Sequence, residues 1–162
     1  MTIKNIFYTA LITAGMLSCT NSEEAATETH MHDHDHSAME ETTNPDALYV
    51  PEGARVFFAN LNNGDTVTSP LFIQFGIEGM EVKPAGEIVK GTGHHHIIID
   101  DTFTALGAVV GNDDAHIHFG GGQTETELEL SPGEHRLVMQ FANGIHQSYG
   151  EQMSAAITVF VK

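Results

Sequence analysis

Eleven of the 162 residues are histidine, and nine of these fall in three compact groups: His30, His32, His34 and His36; His94, His95 and His96; and His116 with His118. A neutral imidazole offers one nitrogen lone pair, which suits zinc, copper and nickel. In the first group the histidines alternate with Met31, Asp33 and Asp35, and Met39 follows. Several imidazoles on one polar stretch can converge on a single cation. Carboxylate neighbours favour Cu(II), Zn or Ni, and thioethers add softness for Cu(I). A solvated linker that merely contains histidine is the bland alternative, and strict alternation through four positions argues against it.

The other two groups lie beside β-like text: GTGHHH runs into Ile97-Ile98-Ile99-Asp100, and His116-Ile117-His118-Phe119 runs into Gly120-Gly121-Gly122-Gln123. Residues two apart in extended backbone point to the same side, so His94 with His96, and His116 with His118, each make half of a metal site. Two such pairs on neighbouring strands would supply three or four nitrogens to copper or zinc, with His95, His146 or His135 as further candidates. The competing reading is a structural network in which these rings bond nearby carbonyls. His135, at the start of a strand, fits that structural role. Met80, Met139 and Met153 read as packing residues.

Other chemistries have little support. There is no Gly-x-Ser-x-Gly elbow, no Cys–His pair and no Gly-rich phosphate loop, so no catalytic residue is nominated. The net charge of −16 repels phosphate backbones and disfavours nucleic acid as a partner, while it suits cations or a basic protein of the cell envelope. A single cysteine excludes an intramolecular disulfide and any Cys-cluster zinc site.

The elements that position these residues are read from the N-terminus. Lys4 precedes an apolar run, Ile6 to Met16, of signal-peptide length and too short to span a membrane. Met16-Leu17-Ser18-Cys19 resembles a lipobox, which makes residues 1–18 a lipoprotein signal peptide and Cys19 the acylated, membrane-anchored residue outside the cytoplasm. Residues 19–47 are acidic, rich in His and Met and poor in large apolar groups, and are expected to form a disordered tether. Residues 48–162 then carry short apolar alternations between turn signals: 55–60, 71–77, 81–83, 96–100, 124–130, 137–141 and 155–161. About seven strands at this spacing predict an all-β, immunoglobulin-like antiparallel β-sandwich, with a small β-barrel as the alternative.

The succession TVTSPLFIQFGIEGMEVKPAG, GTGHHHIIID, NDDAHIHFGGGQTETELELSPGEHRL and MSAAITVFV resembles the bacterial family catalogued as domain of unknown function 4399, over about residues 54 to 162. The resemblance implies an exported domain, with characteristic histidines at His94, His95, His96, His116, His118, His135 and His146, and no implied activity. The turn FANGIHQSYGEQ departs from the more proline-rich form usual in that family. His116-Ile117-His118-Phe119-Gly120 also resembles, over a few residues, the copper-ligand strand of copper/zinc superoxide dismutases. Three functions follow in order: a metal-binding lipoprotein, a metal-dependent redox enzyme, and an adhesion or scaffold module with structural histidines.

Overall fold

The computed structural model describes residues 44–162. Cys19 and the tract His30, His32, His34 and His36 therefore lie outside the described residues, as do the expected signal peptide and most of the expected tether.

Nine strands follow one another: β1 (Arg55–Phe58), β2 (Asp65–Val67), β3 (Leu71–Glu78), β4 (Glu81–Val82), β5 (Thr92–Ile99), β6 (His116–His118), β7 (Glu125–Leu128), β8 (Gly133–Ala142) and β9 (Ser154–Val161). They form a three-stranded sheet in the order β1-β3-β7 and a six-stranded sheet in the order β2-β9-β8-β5-β4, with β6 also paired to β5. Period-two patterning places the smaller sheet: Leu71, Ile73 and Phe75 are buried, while Phe72 and Gln74 between them are exposed. With Val56 and Phe58 of β1 they pack on Ile97, Leu137, Met139, Phe141 and Val159 of the larger sheet. The all-β sandwich class expected from the sequence is the one observed.

Two features differ from expectation. The described residues hold nine strands instead of about seven, because two short segments outside the expected set, β2 and β6, pair against longer neighbours. The sandwich is also not wholly antiparallel, since β2 pairs with β9 and β4 with β5 in parallel.

The larger sheet has a covered outer face, which is what positions the histidines. β5 is buried at every position from Thr92 to Ile98, and β8 from Leu137 to Ala142, so both faces of these strands are packed. One face meets the smaller sheet. The other lies under the segments around residues 104–110 and 143–150, which bond to each other: Gly107 N–H donates to Ser148 O, Ser148 N–H to Ala108 O, and Val110 N–H to His146 O. Gln140 ties this cover to the sheet. Its Oε1 accepts from Thr104 N–H at 3.2 Å and its Nε2 lies 3.2 Å from the carbonyls of Phe141, Gly150 and Met153, so this buried amide is satisfied.

Candidate metal centre

Strand register decides which histidines meet. His94, His96 and Ile98 of β5 stand opposite Ala142, Gln140 and Val138 of β8, and His96 stands opposite His118 of β6. Directly opposed residues share a face of a sheet. His94, His96 and His118 therefore gather on the outer face, beneath the 143–150 segment that carries His146. The ring centroid of His94 lies 4.9 Å from that of His96 and 5.0 Å from those of His118 and His146; His118 and His146 are 4.7 Å apart. One ligand nitrogen each from His94, His96 and His118 lies within 4.8 Å of the others, a group that can hold a metal ion.

His146 stands beside this group and outside it: its ring centroid is 6.1 Å from that of His96. Its Nε2 lies 3.1 Å from His118 Nε2, a hydrogen-bond distance that is also close to the roughly 3.3 Å edge of a tetrahedron built on metal–nitrogen bonds of about 2.0–2.1 Å. His94 and His96 are fully buried and form the floor, whereas His118 and His146 are half-buried and form the mouth.

The electrostatics keep the floor ready for a cation. Burial, and secondly the nearby His118 and His146, push His94 down to about 4. Burial with the crowding of His94, His118, His146 and His95 pushes His96 down to about 2. His118 is lowered by burial and by His146. At neutral pH these three rings are uncharged, the state in which imidazole binds metal. All four ring nitrogens of His94 and His96 are buried without a hydrogen-bond partner. A buried polar atom left unpaired costs about 1–3 kcal/mol, so a structural network of hydrogen bonds does not account for the pair.

Two further contacts aim the outer rings. A Cβ on Gly120 would sit 2.2 Å from His118 Cε1 and 2.3 Å from Nε2, so the ring folds over a backbone that only glycine leaves bare. His146 has φ +71°, a left-handed conformation uncommon outside glycine and costing about 1–3 kcal/mol. Buried Asn143 holds that turn: its Oδ1 accepts from Ile145 N–H at 3.1 Å and Gln147 N–H at 2.9 Å, and its Nδ2 donates to Ala47 O at 3.0 Å.

The remaining histidines go elsewhere. His95 faces the sandwich interior, 5.0 Å from the rings of both Phe75 and Phe141, because the alternation that sends its neighbours outward sends it inward. His116 is drawn to Asp113, with Nδ1 at 2.8 Å from Oδ1, so the expected His116–His118 half-site is replaced by His118 with His146. His135 donates from Nδ1 to Asp100 Oδ2 at 2.8 Å and from Nε2 to Ser131 O at 3.0 Å, and these partners raise its pKa. Both ring nitrogens are thus occupied, as the structural reading expected. Met139 and Met153 lie in the core and Met80 packs against it. Sequence reasoning missed Asn143, whose role depends on a turn that composition does not disclose; Gly120 was legible only as one of three glycines after His118.

Fold and site together define an all-β sandwich domain with a buried cluster of imidazoles on one sheet face. The chain belongs to the family described as Domain of unknown function (DUF4399), which matches residues 73–162. The match begins within β3, so the stretch from residue 54 to 72, included in the resemblance, falls outside it. No curated protein and no solved structure matches the chain.

Proposed function

We propose that this protein is a metal-binding lipoprotein of the cell envelope, in which His94, His96, His118 and His146 hold one copper or zinc ion. The observation that carries the reading is the set of buried, unpartnered nitrogens on His94 and His96 facing two further rings at the mouth. A cation satisfies those lone pairs; a scaffold role leaves their cost unexplained. The donor set is all nitrogen, with no carboxylate among the four, and it matches borderline divalent ions better than Ca²⁺ or Mg²⁺. Four imidazoles fill a tetrahedral shell, so binding is favoured over catalysis, which needs an open position. In this reading Cys19 carries the acyl anchor, residues 1–18 are the export signal, and His30, His32, His34 and His36 form a second, outlying site for the same ions.

Calorimetric titration with Zn²⁺ and Cu²⁺ tests the centre. With the four outlying histidines changed to Ala, the chain should take up one ion, and adding His94→Ala and His96→Ala should abolish uptake. Absence of uptake before those two changes would end the reading. Radiolabelled palmitate should enter the protein in cells and fail to enter Cys19→Ala.

A further inference from the structure

We propose that a cation-carrying protein, with a contact surface apolar at its middle and basic at its rim, docks on the cover of the histidine centre at Leu106, Val109 and Ile145 and delivers the ion there; this rests on the reading of that centre as a metal site. The carrying observation is where the apolar surface lies. Leu106, Val109 and Ile145 are 59%, 67% and 47% exposed, and all three belong to the two hydrogen-bonded segments that roof the outer face. Val109 stands opposite Gln147 in that pairing while Val110 beside it is buried, so the pleat turns Val109 outward. Leu106 lies against Gly150, where an added Cβ would come within 3.2 Å of the Leu106 Cβ. Packing does not account for these three side chains, because the same segments already bury Val110, Ser148 and Tyr149. Exposed apolar groups gathered inside a polar rim mark a contact surface.

The patch is tied to the ligands. Ile145 immediately precedes His146, and Val110 N–H donates to His146 O at 2.9 Å, so both segments hold the turn that carries the outer ring. A protein seated on Val109 and Ile145 therefore touches the backbone that positions His146, beside the half-buried mouth. A free ion needs no apolar surface to enter; a protein that brings one does. The floor rings His94 and His96 are fully buried and already oriented by β5, so an ion moving inward gains two fixed nitrogens and transfer runs from the partner to the centre.

Charge selects the partner. Exposed acids border the patch: Glu87, whose backbone lies against Gly144; Glu151, next after Gly150; and Asp113 with Asp114, shortly after Val110. The chain has no Lys or Arg from Gly91 to His135. A second copy of this chain would set acid against acid, whereas Lys and Arg around an apolar middle are drawn to such a rim.

The test uses the full chain in the cells that make it, with His30, His32, His34 and His36 changed to Ala so that bound metal reports the centre. A photo-crosslinking benzoylphenylalanine at Ala108, exposed between Leu106 and Val109, should join the chain to one protein. Mass spectrometry should identify that protein as richer in Lys and Arg than in Asp and Glu, and once purified it should bind Zn²⁺ or Cu²⁺. Leu106→Lys with Val109→Lys should remove the adduct and lower the zinc or copper recovered with the chain at least tenfold, while the purified variant takes up added Zn²⁺ as the parent does. Phe72→Lys, at an exposed position of β3, should change neither. No adduct, an adduct with a second copy or an acidic protein, or unchanged metal content in the double variant would overturn the docking while leaving the metal site standing. Failure of the parent to take up added Zn²⁺ would instead overturn the metal site itself.

Discussion

His94 and His95 are neighbours in the chain and face opposite sides of β5: the first ring lies 5.0 Å from both His118 and His146, the second 5.0 Å from both Phe75 and Phe141. The two share burial and unpartnered nitrogens, but only His94 has other imidazoles with which to share a cation. His95 is polar surface in an aromatic box. Changing His95→Leu removes two orphaned nitrogens at similar volume and should stabilise the domain by about 1–3 kcal/mol in urea unfolding, with zinc affinity unchanged. Loss of zinc binding in this variant would show that His95 serves the centre after all.

Gly120 offers a way to disturb the centre without touching a ligand. An alanine Cβ there meets the His118 ring well inside contact distance, so Gly120→Ala must push the ring from its position. Zinc affinity should fall at least tenfold while secondary structure by circular dichroism stays intact. Unaltered affinity would mean that His118 is not held where the geometry puts it.

Much of this arrangement was legible from residue order alone. The alternation Leu71, Ile73, Phe75 announces a strand with one wet face, and His94 with His96 share a side by simple pleat geometry. The convergence of separate segments was a proposition that only register could decide. Asp113, three residues before His116 and exposed, was no sign in the sequence that His116 would be held away from the cluster. The fourth ring arrives from a turn whose departure from the family's usual form hid its part, and whose shape depends on buried Asn143 reaching back to Ala47. Long-range contacts of that kind leave no local periodicity to read.

The left-handed conformation of His146 is a cost that function would justify. Asn tolerates that backbone better than His and lacks the imidazole, so His146→Asn should lower zinc affinity at least tenfold while raising the stability of the metal-free domain by up to about 1 kcal/mol. Urea unfolding in the presence of a chelator, paired with a zinc titration, checks both signs. A stability loss with affinity retained would contradict the assignment.

Acid should unfold the metal-free domain over a defined window. The unfolded chain takes up protons on His94, His95 and His96 from about pH 6.5, whereas the folded forms of His94 and His95 resist until about 4, and His96 until about 2. Stability is therefore full above 6.5 and declines as pH falls through 4. His95 alone accounts for roughly 3 kcal/mol at about 1.4 kcal/mol per pH unit. The urea midpoint should drop steadily between pH 6.5 and 4, with a shallower slope in His95→Leu. A flat midpoint across that range would contradict the burial of neutral rings.

The central claim is that rings from three segments of the sandwich surround one cation. X-ray absorption at the zinc edge, on the chain with His30, His32, His34 and His36 changed to Ala, measures this most directly. The account predicts one zinc per chain with four nitrogen neighbours at about 2.0–2.1 Å and the outer-shell scattering of imidazole. A shell dominated by oxygen, or no stoichiometric zinc at all, would contradict it.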